Sequence, residues 1–320
     1  KDFQYSFSGN FAFNHNRVSK YKGALKEYWE EGAGGLRTFV SNLGEVSTGS
    51  STRILEGHTI NEYYMLTPYQ GDASYFDDFG MVNINGGPKD GMIRTEMDMA
   101  WLKAMIASGY TFYPMQGVGK DKIWYGDYIY ADVDGDGIYG NTYDNVFTGK
   151  SSTPKFTFGF QGSFGWKGLD LQFSFAGAAG FWLYWNETGA NNTGTRIGYN
   201  LLSSVAKDHY FYDPANPLDP RTNTTSKTAR LTANEGNNQQ GEKSTLHLYR
   251  GDYLKLKNLT IGYTLPEKYA KKILMKGLRV YVSGENLFNI TSYPGQDPEM
   301  GAGMGYVTMR QISLGANLTF

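Results

Sequence analysis

Three aspartates at alternate positions, Asp132, Asp134 and Asp136, followed at once by Gly137, carry the densest chemistry in this 320-residue chain. Carboxylates at that spacing, with a glycine that turns sharply, form the first half of a calcium loop in which hard oxygen ligands wrap a hard cation. The second half departs from the pattern. The twelfth place, where a bidentate Glu belongs, is Tyr143, with Asp144 beside it, and the Ile138 carbonyl stands where a backbone ligand is needed. Two readings stay open: calcium held by Asp132, Asp134, Asp136, Ile138 and Asp144, or an Asp/Gly turn closed by side-chain-to-backbone hydrogen bonds.

Other reactive patterns fail on inspection. Gly135 to Gly140 spells G-x-G-x-x-G, but no helical pattern follows and three acids crowd the place a pyrophosphate would occupy. Gly149-Lys150-Ser151 ends like a phosphate loop, yet the first glycine of that motif would fall on Asp144. The four histidines (His15, His58, His209, His247) are scattered, and the chain has no cysteine, so zinc sites, thiol nucleophiles and disulfides find no support. No G-x-S-x-G occurs. Paired carboxylates for glycoside hydrolysis converge only in space, and nothing points to them here. The chain therefore reads as something other than an enzyme. A formal net charge of -1 and a pI near 6.5 leave no polybasic surface for nucleic acid.

The elements that must position these residues alternate with a period of two. Phe3, Tyr5, Phe7, Gly9, Phe11 and Phe13 fall on one face of a strand, and Gln4, Ser6, Ser8, Asn10, Ala12 and Asn14 on the other. Residues 155–179 repeat this as a hairpin: Phe156, Phe158, Phe160, Phe164 and Trp166 return as Leu169, Leu171, Phe173 and Phe175 through the two-residue turn Lys167-Gly168. Ile312, Leu314, Ala316, Leu318 and Phe320 alternate with Gln311, Ser313, Gly315, Asn317 and Thr319. A soluble sandwich also has half-buried strands, but large aromatic and Leu residues opposite small polar ones suit a wall between lipid and a wet lumen. Mean hydropathy of -0.48 and the lack of an apolar run of 18 residues rule out transmembrane helices, whereas a barrel hides its membrane signal in the alternation.

Along the chain, Ser19–Glu31 reads as a connection with a short amphipathic turn at Leu25, Tyr28 and Trp29, and Arg53–Leu66 as a weaker strand. Residues 71–91 read as a loop. Ile93, Met97, Ala100, Trp101, Ala104 and Met105 make one helical face over 93–108, either bracing a loop or offering a Met-rich docking surface. Tyr125–Ala131 reads as a short strand, 186–243 as a second long loop, and Tyr253–Leu265 and Leu278–Leu287 as strands joined by a Lys-rich turn over 267–277 that would face the periplasm. Tyr5, Trp166, Tyr263 and Tyr281, at strand ends, read as girdle or lumen-wall residues. The six strands and long loops are expected to share one architecture without separate cores.

Several segments carry a resemblance. YLKLKNLTIGYTLP at Tyr253–Pro266 and GLRVYVSGENLF at Gly277–Phe288 resemble the C-terminal portion of the SusC/RagA-type TonB-dependent outer-membrane transporters of Bacteroidetes-like bacteria. Further matches are Gly126–Tyr130 leading into Asp132–Gly137, then Pro154–Phe160, Tyr293–Pro298 and the ending LGANLTF, Leu314–Phe320. The continuation Ile138–Val146 is longer and richer in Tyr than the family pattern, which bears on the metal role of the Asp loop.

The resemblance implies an all-β chain forming the C-terminal portion of a transmembrane antiparallel β-barrel of about 22 strands, with a plug in its lumen and long extracellular loops. Residues 1–320 would be that portion, with the plug domain and N-terminal strands outside it. It further implies import of oligosaccharides or peptides across a Gram-negative outer membrane, a SusD-like surface lipoprotein as lid, and energy from the TonB complex through the missing N-terminal part. Loops 71–124 and 186–243 would help form the substrate chamber. Leu314, Leu318 and Phe320 resemble the C-terminal signal by which barrels are recognised for insertion; girdle residues are the plainer reading. Independently, an open sheet in lipid leaves two bare edges, at several kcal/mol for each unpaired backbone group. Either these strands close as a small barrel of about eight to ten, a passive porin-like channel, or other strands complete the larger one. A soluble carbohydrate-binding or carbohydrate-active β-sandwich is the third alternative.

Overall fold

The structure is a computed structural model that describes residues 3–35, 37–185, 201–232, 241–303 and 305–320. It divides into two compact units, one of residues 1–16, 151–183 and 249–320, the other of residues 17–150 and 184–248.

The first unit is a six-stranded antiparallel meander: β1 (Phe3–Phe13), β2 (Phe156–Trp166), β3 (Leu169–Ala179), β4 (Tyr253–Thr264), β5 (Gly277–Thr291) and β6 (Gln311–Thr319). Each strand pairs with its sequence neighbour, and the sheet order is the chain order. Lys167 and Gly168 both take positive φ, 48° and 88°, which matches the twist of the hairpin they close. The connections alternate. The short β2–β3 and β4–β5 turns lie at one end of the sheet, and the three longer connections leave from the other end. The Lys-rich β4–β5 turn folds as a short helical turn, Glu267–Ala270 followed by Lys271–Ile273, and stops at Leu274 in the left-handed region.

Alternation alone would place Leu256 and Leu259, three residues apart, on opposite faces. A bulge resolves this. The β3–β4 register steps from Ser174↔Asn258 to Phe175↔Leu256, leaving Lys257 as the extra residue, so both leucines share a face.

The second unit has a core of its own, contrary to the expectation of one architecture without separate cores. Its centre is Trp101, Leu102, Met105, Phe112, Ile129 and Tyr210, packed with Met92, Ile93 and Met99. Helix α1 (Glu96–Ala107) starts at Thr95, whose side chain caps the Asp98 N–H while the Asp98 carboxylate returns to the Thr95 N–H, a reciprocal capping box. Ile93, Trp101 and Met105 of the predicted face are buried, together with Met99 and Leu102, so the helix packs into this core, while Met97 of that face is 48% exposed. Asp98 is buried with them and also accepts hydrogen bonds from Tyr75 Oη and Arg94 N.

Two sequence readings are corrected in this unit. Tyr125–Ala131 is not a strand; it forms only single bridges, Tyr128 to Met92 and Tyr130 to Pro68, because its turn-rich backbone bonds to several different segments. Glu27–Glu31 pairs with Arg37–Ser41 as a two-stranded ribbon in place of the amphipathic turn, with Trp29 against Phe39. The weak strand over 53–66 appears as two pieces, Thr52–Ile54 and Glu62–Met65. Part of the second long loop, residues 186–200 and 233–240, lies outside the described residues.

Candidate functional site

The β1–β6 sheet has two chemically distinct faces. Across one run unbroken rows: Phe3, Trp166, Leu169, Tyr263, Val280 and Ala316 are successive cross-strand partners, as are Phe164, Leu171, Ile261, Val282 and Leu314. Rings interlock along it, with Phe7 edge-on to Phe164 at 5.2 Å and Phe160 stacked on Phe175 at 4.7 Å. These side chains are not covered by a second layer among the described residues: Phe7 is 60% and Leu314 82% exposed. A soluble sandwich would bury them. Tyr5, Trp166 and Tyr263 stand on this face near the short-turn end.

The opposite face is polar and small. Ser6 bonds Ser163, and Gln161 donates to Ser8. Arg279 on β5 reaches past Gly262 on β4 to fork onto Asp170 on β3, with Nε–Oδ1 3.0 Å and Nη2–Oδ2 2.6 Å. Tyr281 belongs to this polar face, its ring lying against Gly315 on β6. Lys255 is nearly buried and bonds Asp297 and Glu299 in the β5–β6 connection, while Lys257 bonds Glu299 and Thr308 Oγ1 donates to Asp297. Sequence reasoning missed this cluster. The only trace of it was that Lys255 and Asp297 both lie in family-like segments.

In the second unit the structure gathers Asp132, Asp134 and Asp136, with carboxylate oxygens within 4.8 Å of one another. Each is also turned onto the loop backbone. Asp132 accepts from Gly135 N at 2.6 Å and Gly137 N at 2.9 Å, Asp134 from Asp136 N, and Asp136 from Ile138 N and Asn141 Nδ2. Asp144 lies outside the group of three. It is fully buried and accepts from Val133, Gly140 and Asn141 N–H groups. Ile138 donates its N–H to Asp136 and is paired in parallel with Thr111. Burial pushes the Asp134 carboxyl up to about 6, aided by Asp136 and Asp132 and opposed by the Asp136 N–H. Burial likewise pushes Asp144 up to about 6 against the pull of its three N–H donors. The loop thus has the hydrogen bonds of a closed Asp/Gly turn and a carboxylate cluster that could receive a cation.

The same unit contains a cavity of about 640 Å³ walled by Trp124, Tyr125, Tyr210, Phe211 and Tyr212, with Arg221 over the Phe211 ring at 4.7 Å. Rings can stack on sugar faces, and Asn and Tyr groups can bond a peptide backbone. Leu314, Leu318 and the terminal Phe320 are exposed on one side of the last strand, the first two paired with Val282 and Leu278.

Continuous apolar rows on one side, small polar residues on the other and long connections at one end define the wall of a transmembrane antiparallel β-barrel. Six strands of it are seen, without closure.

No family model matches the chain. It is 31% identical over 210 residues to TonB-dependent receptor P3 of Formosa agariphila, a match covering 61% of this chain and 19% of that receptor. It is 25% identical over 333 aligned residues to TonB-dependent receptor SusC of Bacteroides thetaiotaomicron, 100% of this chain and 25% of SusC. Its fold matches a chain of the RagAB peptide importer in the open-open state with a TM-score of 0.58 at 22% identity, over 100% of this chain and 27% of that one. The resemblance to SusC/RagA-type TonB-dependent receptors therefore holds, and the chain spans about a fifth to a quarter of the length of the curated relatives it matches. These relatives are named as receptors and an importer, not as enzymes.

Proposed function

We propose that this chain is the C-terminal part of the barrel of an outer-membrane, TonB-dependent importer of nutrient oligomers, oligosaccharide or peptide. In this reading a plug domain and further strands belong to the same protein, TonB supplies energy through that remaining part, and a SusD-like lipoprotein closes the outside. The observation that carries it is the six-strand meander whose apolar rows are uncovered and whose opposite face is lined by Ser, Gln, Asn and an Asp170–Arg279 fork. Such a wall works by shape: substrate crosses along the polar side once an energised plug moves. The two bare sheet edges, on β1 and β6, favour completion by other strands over a small passive channel.

The Asp132–Asp136 loop, in the same reading, takes calcium as a structural ion of the second unit, with Asp144 and the Ile138 carbonyl as further oxygen donors. Leu314, Leu318 and Phe320 serve as the assembly signal.

Purification of the native complex tests the function. A much longer polypeptide that co-purifies with a surface lipoprotein, and whose deletion abolishes uptake of its bound oligomer only while the proton gradient is intact, is the expected result. A native polypeptide of 35.7 kDa that conducts passively would defeat it.

A further inference from the structure

On the apolar side of the sheet, next to the short-turn end, β3 to β6 leave a shallow groove of about 630 Å³ lined by Leu169, Ile261, Tyr263, Val280, Leu314 and Ala316. It exists because the cross-strand row Leu169, Tyr263, Val280, Ala316 falls away from a large ring to a methyl group as it nears β6. A groove of this kind on a lipid-facing wall fits a hydrocarbon chain, since its lining is aliphatic apart from the rings of Tyr263 and Tyr281 and holds no charged side chain.

The turn that joins β4 to β5 borders the groove. Leu265 N bonds Leu278 O, and Lys276 N bonds Thr319 O, so the turn is tied to the ends of β4, β5 and β6 at the margin of the groove. Residues 265–276 hold Lys268, Lys271, Lys272 and Lys276 against a single acid, Glu267. Lys271 pairs with Glu267 at 2.7 Å, while Lys268, Lys272 and Lys276 are exposed. Tyr269 (48%), Ile273 (48%) and Leu274 (90%) are also exposed on this turn, and Ala270 is buried beneath it. Apolar side chains among ammonium groups at the end of a lipid-facing wall suit the headgroup layer of a bilayer, where lysines meet phosphate and aromatic and aliphatic groups enter the acyl boundary.

We propose that the groove and this lysine-bearing turn form a binding site for one anionic phospholipid of the leaflet at the short-turn end. An acyl chain lies along Tyr263, Val280 and Ala316, and the headgroup phosphate is met by Lys268, Lys272 and Lys276. The site anchors this edge of the barrel at a fixed depth. The inference rests on the membrane-barrel reading above.

The test uses the full-length receptor in detergent, incubated with equal amounts of dioleoyl phosphatidylglycerol and dioleoyl phosphatidylcholine, with retained lipids counted by native mass spectrometry. The native receptor should keep phosphatidylglycerol at least about tenfold over phosphatidylcholine, in line with the attraction of a few lysines to an anionic leaflet. Replacing all three exposed lysines (K268Q/K272Q/K276Q) should erase the headgroup preference, and Ala316→Phe, which fills the groove, should lower retention of both lipids. Heat-modifiable gel migration identifies variants that have folded, and Ala316→Leu replaces the Phe variant if that one has not. Equal retention of the two lipids by the native receptor, or an unchanged preference in the lysine variant, overturns the proposal. So does protection of these lysines from acetylation in lipid-free detergent, which would mean that protein covers the turn. A receptor that still imports its cargo while showing no lipid preference defeats this inference alone; one that fails to insert into membranes defeats the barrel reading.

Discussion

Lys255 Nζ lies 2.5 Å from Asp297 Oδ2, tying the start of β4 to the β5–β6 connection across 42 residues of sequence. Glu299 joins the pair at 2.6 Å and binds Lys257, the bulge residue, as well. With the Lys255 side chain 3% exposed and that of Asp297 9%, the charges are out of water and need each other. Lys255→Ala strands the Asp297 carboxylate, while Glu299 keeps Lys257, and should destabilise the protein by about 3 kcal/mol, whereas a Lys255→Met/Asp297→Leu pair should recover much of that. Denaturant titration of the full-length protein, with limited proteolysis of residues 292–310, measures both. An alanine variant as stable as the native protein would show that the cluster holds nothing.

Glycines at ring and ion-pair crossings should rank by what a methyl group meets. At Gly177 an added Cβ would fall 2.5 Å from the Phe158 ring and 2.7 Å from the Tyr253 carbonyl, part of the backbone. At Gly262 it would meet only side-chain ends, Arg279 Nη2 at 2.5 Å and Asp170 Oδ1 at 2.6 Å. Gly177→Ala should cost about 1–3 kcal/mol because backbone must shift. Gly262→Ala should displace a part-exposed ion pair for about 1 kcal/mol or less. Thermal unfolding of the two variants decides the order, and a reversed order would contradict this geometry.

Calcium should bind the Asp132–Asp136 loop through oxygens at about 2.3–2.6 Å. Isothermal titration of the metal-stripped full-length protein should give a binding constant that Asp134→Asn lowers about tenfold, as expected when a charged ligand is removed from such a loop. No heat in the native receptor leaves the loop as a hydrogen-bonded turn.

In calcium-free buffer the same loop should be more stable in mild acid. Asp134 and Asp144 each titrate near 6 in the folded protein, above the ordinary aspartate value of 3.8. The folded state therefore holds more protons than the unfolded one between those values, and stability falls as pH rises through about 6. Amide exchange over residues 132–145, corrected for the intrinsic rate, should show greater protection at pH 5 than at pH 7. Greater protection at the higher pH would refute the raised values.

Removing Phe320 should lower the amount of receptor assembled in the outer membrane and leave its synthesis intact. Unchanged assembly, read from fractionated membranes, counts against a recognition role and leaves Phe320 as a girdle ring.

The strands were legible because a period of two is written residue by residue. β2 and β3 fall at Phe156–Trp166 and Leu169–Ala179, and the Lys167-Gly168 turn between them was signalled by a glycine able to take positive φ. The helix was legible too, through the spacing of its apolar residues over 93–108, whereas its Thr95–Asp98 capping box came only with the structure. Tyr125–Ala131 misled because the consecutive Tyr128, Ile129 and Tyr130 look like a strand, although their backbone partners are dispersed among Pro68, Gly91, Met92 and Ile93.

By itself the sequence determined the class of wall, the faces of its strands, the three aspartates of the Asp loop and the resemblance to SusC/RagA-type receptors, because these depend on neighbours within a few residues. Only the tertiary structure decided that residues 17–150 and 184–248 share a separate core, that Lys255 is neutralised by Asp297, and that a groove runs beside the lysine turn. Those depend on contacts between segments tens of residues apart, whose formation is set by chain closure and packing and leaves no periodic mark on the sequence.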